Sequence, residues 1–299
     1  MVIFGSGVGH FLREDEIMLL GKSGKTDFEI YRIALNRNLI MPIAYEADLN
    51  SSLSNAVWSP DGQQIAFVSQ RLNQQHTEGS IYIADAEGRN QKLIIANLDC
   101  VYNLSWSPDG QQLAVIRGCY PTSVLMTIHL KQETNSYLTN NVSDGYAPHW
   151  SPDGQQISFR YSENNRSMSE IYNINIQNGN ITRLTANLPN SLSPTISPDG
   201  RYVIFVNKLP GSTPYLYSIY LYDLANQQTI LLYKNEKYIT SSIDWSSDSH
   251  FIVYAAGSFD ELDLLTLDIA TCLEKPKSCV PKQVVLTKGQ YVVAHWRPR

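Results

Sequence analysis

Short runs of alternating apolar and polar residues recur along the whole chain, for example at residues 64–68 and 112–116. A period of two residues is typical of β-strands with one buried face. Helical periodicity is almost absent, and the segments between runs are rich in Asn, Gln, Ser and Gly, as is typical of short surface connections. The pattern therefore predicts an all-β protein.

A repeated turn signal precedes most of these runs. The sequence Trp-Ser-Pro-Asp-Gly occurs at residues 58–62, 106–110 and 150–154. Related copies lie at 196–200, where Ile replaces Trp, at 245–249, where the turn sequence is degraded, and at 296–298, where the copy is partial. The first residues of successive copies are 44 to 51 residues apart, a period typical of solenoids, arrays and propellers.

The turn chemistry predicts how the strands are joined. Ser is favoured at the first position of a type I turn, Pro at the second, Asp is tolerated at the third, and Gly can adopt the left-handed conformation at the fourth. Each copy should therefore join two antiparallel strands, the first of which ends at the Trp. Two more strand-like runs follow, as at 80–85 and 92–95. Each repeat thus contains four predicted strands.

The two ends of the chain complement each other. Residues 1–15 carry no repeat, and their Gly-rich stretch at 5–9 lacks the flanking strand, helix and spacing of a dinucleotide-binding motif. Strand-like runs at 16–20, 28–35 and 39–45 have no Trp strand before them, whereas the Trp strand at 290–296 has no hairpin partner after it. We therefore predict that the terminal strand pairs with the first one.

These observations predict an all-β, six-bladed β-propeller of four-stranded antiparallel blades, its ring closed by pairing of the N- and C-terminal strands. A right-handed solenoid, the alternative, would leave both half-repeats unpaired. We expect one domain spanning 1–299. Its predicted parts are an entry segment at 1–15, blades at about 16–54, 55–100, 101–146, 147–193, 194–241 and 242–289, and a closing strand at 290–296.

Composition narrows the classes of partner. The chain has 299 residues, a formal charge of −5 and a pI of about 5.7, without a block of Lys or Arg. Nucleic acid is therefore not an expected partner. No apolar run reaches the roughly 18 residues of a membrane helix, so no membrane insertion is expected, and the first 12 residues do not resemble a signal peptide. We expect a monomer.

The four cysteines fall into two local pairs. Strands joined by the turn at Pro108 and Asp109 should pair positions whose numbers add up to about 218 or 219. The numbers of Cys100 and Cys119 add up to 219, so these residues should face each other across the hairpin. Cys272 and Cys279 flank a polar turn. Two disulfides would indicate an extracytoplasmic protein, periplasmic or secreted, whereas four unpaired thiols would suit the cytoplasm. Zinc is not favoured, because no Cys-x-x-Cys pair is present.

The Trp-Ser-Pro-Asp-Gly repeat, followed by an apolar strand and an Ile-Tyr-type third strand, resembles the repeat of TolB-type six-bladed propellers. The resemblance covers about residues 16–299. The same repeat occurs in propeller domains of prolyl oligopeptidase-like enzymes and in oligogalacturonate lyases. The additional α/β domain of TolB proteins and the hydrolase domain of the oligopeptidases have no counterpart in this sequence, so the resemblance implies a fold rather than one activity.

In a propeller, the loops between blades and between second and third strands share one rim, which is the expected binding face. Tyr and Arg there would supply contact area and directional hydrogen bonds, although Tyr also often caps strand ends. The rim candidates are Arg71, His76, Tyr102, Arg117, Tyr120, Tyr146, Tyr161, Arg166, Lys208, Tyr215 and Tyr238.

A second set of candidates directly precedes the first residue of each copy. These positions should line the channel, and they are Val57, Ser105, His149, Thr195, Asp244 and His295. The polar members His149, Thr195, Asp244 and His295 could hold an ion in the channel. Alternatively, they could form hydrogen bonds between neighbouring blades.

Catalytic constellations are not visible in the sequence. No Gly-x-Ser-x-Gly elbow occurs, and the repeated Asp residues belong to turns. The resemblance to metal-dependent lyases would require a compact His cluster, but the six His residues are scattered. We therefore expect no catalytic residue, cofactor or metal, and a non-catalytic module that binds a protein or peptide at the rim and channel mouth. The alternatives are a channel-based enzyme, such as a metal-dependent oligosaccharide lyase, and the detached propeller of a peptidase-like protein.

Overall fold

In a computed structural model of the chain, the described residues are 16–22, 29–34, 39–43, 52–72, 77–101, 103–119, 122–140, 146–162, 169–185, 188–209, 217–234, 238–257, 262–285 and 290–296. They form six antiparallel sheets of four strands each. Five sheets consist of consecutive strands, and one combines strands from both ends of the chain.

The sheets are numbered here along the chain. The first sheet contains β1 (Glu16–Lys22), β2 (Glu29–Ala34), β3 (Leu39–Pro42) and the terminal strand β24 (Gln290–Trp296). The second contains β4 (Ser52–Trp58), β5 (Gln64–Leu72), β6 (Thr77–Asp85) and β7 (Lys92–Asp99). The third contains β8 (Leu104–Trp106), β9 (Gln112–Arg117), β10 (Val124–His129) and β11 (Thr134–Tyr137).

The other three sheets repeat this order. The fourth contains β12 (Tyr146–Trp150), β13 (Gln156–Tyr161), β14 (Glu170–Asn175) and β15 (Ile181–Arg183). The fifth contains β16 (Ser191–Ile196), β17 (Tyr202–Lys208), β18 (Tyr217–Asp223) and β19 (Gln228–Lys234). The sixth contains β20 (Tyr238–Trp245), β21 (Phe251–Gly257), β22 (Leu262–Asp268) and β23 (Lys282–Val285).

The predicted pairing of the terminal strand is confirmed. Strand β24 pairs antiparallel with β1, with Ile17 opposite Trp296 and Leu19 opposite Ala294. The sheet order is β24-β1-β2-β3, so β24 takes the place that the Trp strand occupies in the other sheets.

The first strands of the sheets lie side by side around an axis. Strand β4 contacts β8, β8 contacts β12, β12 contacts β16, and β16 contacts β20. Strand β24 contacts both β20 and β4. The fold is therefore an all-β propeller whose blades are four-stranded antiparallel sheets.

Antiparallel order assigns every connection to one of two faces. Connections between the first and second strands, and between the third and fourth, lie on the face that carries the repeated turns, which we call the motif face. Connections between the second and third strands, and from one sheet to the next, lie on the opposite face, which we call the rim face. The sequence placed the candidate binding loops on the rim face.

The repeated turn is held by one set of hydrogen bonds. In the first complete copy, Ser59 Oγ donates to Asp61 Oδ1 at 2.6 Å, Gln64 N donates to Ser59 Oγ at 2.9 Å, and Gly62 N donates to Ser59 O at 2.8 Å. Gly62 has a φ of 64°, the left-handed conformation that the sequence predicted.

The sequence at 245–249 indicates a degraded turn, but the structure corrects this interpretation, because the turn has the same geometry as the other copies. Ser246 Oγ donates to Asp248 Oδ1 at 2.6 Å, and Ser249 N donates to Ser246 O at 2.9 Å. Ser249 takes the glycine position with a φ of 62°. The Ser and Asp side chains, which this copy retains, are the groups that form the network.

The core lies between neighbouring sheets. One cluster joins Ile219 and Leu221 of β18 to Ile252 of β21 and Leu267 of β22, all with no exposed surface. The Trp residues of the second, third, fourth and sixth sheets are also buried, at 3 to 7% exposure. Trp106 Nε1 donates to Val57 O at 3.3 Å, and this bond links the third sheet to the second.

Both predicted disulfides are present. Cys100 and Cys119 join the two ends of the β8–β9 hairpin with a Cα–Cα distance of 5.1 Å, and Cys272 and Cys279 lie 4.4 Å apart. The hairpin register confirms the basis of the first prediction, since Trp106 lies opposite Leu113.

The segment predicted as a polar turn around Cys272 is instead helical. It contains α1 (Ile269–Glu274) and a 3-10 turn (Pro276–Ser278). Asp268 Oδ1 caps α1 by accepting from Thr271 N at 2.9 Å, and the buried Ile269 and Cys272 are three residues apart on one face. Among the described residues, no helix is long and apolar enough to cross a membrane.

Candidate functional site

A cavity of about 540 Å³ opens at the motif face, where the first strands of five sheets end. We call it the channel mouth. The repeated turns build it, because each contributes residues at the same motif positions. It is lined by Val57, Trp58, Pro60, Leu104, Ser105, Trp106, Pro108, His149, Trp150, Ser151, Pro152, Ile196, Pro198, Asp244, Trp245, Ser247 and Asp248.

The wall of the channel mouth has two chemical parts. The part of the wall that the second and third sheets contribute is almost entirely apolar, because it consists mainly of Trp and Pro side chains, Val57 and Leu104. His149 of the fourth sheet and Asp244 and Asp248 of the sixth supply the titratable groups. A largely apolar wall with a few placed polar groups is the usual composition of a ligand site.

Neighbouring turns contact each other around the mouth. A Cβ atom added to Gly154 would lie 3.3 Å from Pro108 Cγ, and one added to Gly110 would lie 3.9 Å from Pro60 Cδ. In the sixth sheet, Ser249 Oγ accepts from Asp199 N of the fifth at 3.1 Å. The turns of the third, fourth and sixth sheets therefore each contact the turn of the preceding sheet.

Two of the polar residues that directly precede the repeated motif form hydrogen bonds between sheets. Ser105 Oγ accepts from Trp150 N at 3.2 Å, and His149 Nδ1 accepts from Ile196 N at 3.3 Å. An acceptor Nδ1 carries no proton, so the neutral imidazole of His149 has its hydrogen on Nε2. These bonds agree with one of the two roles expected from the sequence, namely hydrogen bonding between neighbouring blades.

The four polar channel candidates have different surroundings. His149 and Asp244 both line the mouth. Thr195 is 4% exposed, and its Oγ1 has no hydrogen-bond partner in the described part of the chain, while its carbonyl accepts from Trp245 Nε1 at 3.2 Å. The backbone of His295 pairs with Met18, and the side chain of His295 lies outside the described residues.

Two rim candidates lie in the fourth sheet. The guanidinium of Arg160 stacks on the ring of Tyr146 at 5.1 Å. Tyr161 contacts Tyr172 edge to face at 5.2 Å and packs against the cluster that contains Phe159. Tyr161 therefore contributes to the core, which the sequence analysis did not anticipate.

The other rim candidates are spread over several sheets. Arg71 is exposed at the end of β5, Arg117 lies 3.8 Å from a carboxylate oxygen of Asp99, and Lys208 is half-buried at the end of β17. The described rim candidates therefore come from four different sheets. Six candidates lie outside the described side chains, namely His76, Tyr102, Tyr120, Arg166, Tyr215 and Tyr238.

Electrostatics at the turns reflect the hydrogen bonds described above. The Ser107 hydroxyl and then the Gln111 amide, which both donate to Asp109, hold the pKa of this carboxyl below its usual value, while partial burial acts in the opposite direction. The Ser59 hydroxyl lowers the pKa of Asp61 in the same way. The repeated carboxylates are thus occupied by turn contacts.

The turn prolines Pro60, Pro108, Pro152 and Pro198 were missed as site residues. The sequence assigned them only to turn geometry, but they line the channel mouth. Their equal spacing from the first residue of each copy was the available signal, because equivalent turns around an axis place equivalent side chains at one opening. In the described part of the chain, no three His, Cys, Asp or Glu side chains are grouped as metal ligands.

Comparison with known families agrees with this architecture. The sequence profile of the TolB beta propeller domain matches residues 63–276. The chain belongs to the TolB beta-propeller family. No curated protein sequence shows a significant match.

Solved structures with low sequence identity share the fold of this TolB-family chain. TolB from Acinetobacter baumannii is 17% identical, with a TM-score of 0.77 over 95% of this chain and 67% of that one. A putative TolB from Agrobacterium tumefaciens is also 17% identical, with a TM-score of 0.68 over 94% and 92%. A chain of a nidogen/laminin complex is 11% identical, with a TM-score of 0.70 over 95% and 98%.

An oligogalacturonate lyase in complex with manganese is similar as well. It is 14% identical, and the TM-score is 0.61 over 89% of this chain and 73% of that chain. At these identities the likeness concerns the fold alone.

Proposed function

We propose that the chain is a non-catalytic module that binds a protein or peptide at the channel mouth, and that the rim loops on the opposite face form a separate second contact surface. The observation that supports this proposal most directly is the channel mouth. Its volume of about 540 Å³ is within the usual range of ligand sites, and its Trp and Pro wall suits an apolar side chain of a partner. The nidogen/laminin structure offers a precedent for this fold in a protein complex.

The proposed module is a single domain, 1–299, with six blades. Five consecutive sheets and a sixth made from both chain ends support this count, as do the contacts of β24 with both β20 and β4. The two disulfides support an extracytoplasmic location, because such bonds persist in oxidising compartments. The net charge of −5 favours a protein partner over nucleic acid, and we expect a monomer.

A peptide-display selection on the purified protein tests this function. Ser247 lines the channel mouth at the position where other turns have Pro, and a type I turn accepts most residues there. We expect Ser247→Trp to weaken binding of selected peptides at least tenfold. The matched control is Gln63→Trp, because Gln63 is exposed beside a turn but does not line the mouth.

The rim is tested separately with Arg71→Ala, Tyr146→Ala and Lys208→Ala. Loss of binding in these variants, but not in Ser247→Trp, would move the site to the rim face. The function itself is contradicted if the protein cleaves oligogalacturonate, with or without manganese, and His149→Ala abolishes that cleavage. The lyase likeness makes this substrate the appropriate one.

A further inference from the structure

The connection between β22 and β23 differs from its counterparts on the motif face. It has 13 residues, 269–281, whereas the corresponding connections of the second to fifth sheets have four to six. It contains α1, the 3-10 turn and the disulfide between Cys272 and Cys279. We call it the stapled loop.

The inner side of the stapled loop is a structural element. Ile269, Cys272 and Cys279 are 4 to 7% exposed and belong to the same cluster as Leu232 of β19. Leu273 packs against this cluster. The loop therefore bridges the fifth and sixth sheets, which accounts for its apolar residues.

Packing between the sheets does not explain the residues on the outer side of the stapled loop. All residues from 274 to 278 are exposed, and Val280 is 66% exposed. The neighbouring Cys279 is tied to α1 by the disulfide, so Val280 is held at the surface. Among the residues whose burial the structure describes, the other exposed large apolar side chains are Leu93, Tyr137, Ile181 and Leu231, and all of them lie in the fourth strand of a sheet rather than in a loop.

Charge on this outer side is locally positive in an acidic protein. Lys275, Lys277 and Lys282 are exposed and surround Val280 along the chain, with Glu274 as the nearest exposed carboxylate in sequence. None of the three ammonium groups has an ion-pair partner among the residues that the structure describes. A partner surface with negative charge would match them.

The residue types distinguish between two kinds of anionic partner. Protein interfaces are depleted in Lys, and their energetic centres are poor in Val. Anionic lipid surfaces, in contrast, attract Lys side chains, whose apolar stems also cover hydrocarbon, and they accept a shallow aliphatic side chain. We propose that the stapled loop is a peripheral contact site for an anionic lipid headgroup surface, independent of the channel mouth.

The test measures co-sedimentation of the full chain with phosphatidylglycerol vesicles and with phosphatidylcholine vesicles. Binding is expected only to the anionic vesicles. It should weaken when salt rises from about 0.1 M to about 1 M, because the Debye length falls from roughly 10 Å to roughly 3 Å. Each Lys near an anionic surface changes partitioning roughly fivefold, so Lys275→Glu combined with Lys277→Glu should reduce it at least tenfold.

The matched control combines Lys131→Glu with Lys234→Glu, which changes the net charge equally at two exposed sites outside the loop. It should leave partitioning within about twofold of the parent. Replacing both Cys272 and Cys279 by Ser should weaken vesicle binding while peptide binding at the channel mouth persists.

Equal losses in the control and the loop variant would overturn the proposal, as would failure of the parent protein to bind anionic vesicles at low salt. Binding to a polyglutamate peptide with the same variant pattern, but not to vesicles, would instead assign the loop to an acidic protein.

Discussion

At the scale of single residues, the hydrogen bond between the Ser and Asp of the turn makes the stability of the fold depend on pH. The pKa of Asp109 is lowered in the folded chain, so its contribution to stability is complete above the unfolded value of about 4 and is lost as pH falls through the folded pKa. We expect the free energy of unfolding to decrease below about pH 4. Urea unfolding at several pH values measures this decrease.

Asp109→Asn should reduce the acid-induced decrease, because the amide does not titrate. Ser107→Ala should reduce it as well, since the Ser107 hydroxyl is the main cause of the lowered pKa. Identical slopes of stability against pH in the parent and both variants would contradict this assignment.

Tyr254 presents the opposite situation, a polar group in an apolar environment. Its side chain has no exposed surface, and its hydroxyl has no hydrogen-bond partner within the described ranges. Burial, with a smaller contribution from Tyr233, raises the pKa of Tyr254 far above its usual value. A buried unsatisfied hydroxyl costs about 1–3 kcal/mol, so we expect Tyr254→Phe to raise the free energy of unfolding by about 1 kcal/mol.

Chemical denaturation measures the effect of Tyr254→Phe directly. A lower free energy of unfolding in this variant would show that the hydroxyl makes a favourable contact.

At the scale of the element, the turn glycines form a natural series. Gly110, Gly154 and Gly200 have φ values of 67°, 69° and 73°, so an alanine at any of them costs about 1–2 kcal/mol of backbone strain. Only at Gly154 would the new Cβ lie as close as 3.3 Å to the Pro of the neighbouring turn. We therefore expect Gly154→Ala to be the most destabilising of the three substitutions.

Gly200 serves as the control in this series, because nothing lies within 4 Å of its added Cβ. Free energies of unfolding from urea titrations rank the variants. If Gly200→Ala costs as much as Gly154→Ala, contacts between turns do not contribute measurably.

The stapled loop shows why one element was predicted incorrectly. Its sequence between Cys272 and Cys279 contains Glu, Lys, Pro and Ser, which is typical of a turn. The helix depends on the Asp268 cap and on Ile269 and Cys272 packing between two sheets. A stretch of six residues is too short to show a helical pattern, and its sequence does not reveal that it packs against a neighbouring sheet.

At the scale of the whole molecule, β24 holds the two ends of the chain together. Removing residues 290–299 leaves the edge of β1 unpaired and removes the strand between β20 and β4. We expect a loss on the order of several kcal/mol, out of a typical total of about 5–15 kcal/mol. The thermal midpoint should fall sharply in calorimetry.

A chain that lacks only residues 297–299 is the control, because β24 remains complete. If the longer truncation also keeps the parent melting temperature, closure by β24 does not stabilise the fold.

The sequence by itself determined the strand order, the turns, the terminal pairing and which cysteines could pair. All of these depend on local chemistry or on repetition. The Ser-Pro-Asp-Gly turn forms through bonds within six residues, such as Gln64 N to Ser59 Oγ, and Cys100 and Cys119 follow from the register of one hairpin.

Only the tertiary structure decided where the candidate site lies. The sequence pointed to the rim and to a ring of channel positions. It did not show that Trp and Pro side chains of turns 44 to 49 residues apart form the channel mouth on the motif face. The sequence offered hydrogen bonds between neighbouring blades as one role of His149, but it did not identify Ile196 N as the donor. Such contacts depend on how far each sheet rotates about the axis, and this rotation is set by packing between sheets rather than by any local pattern.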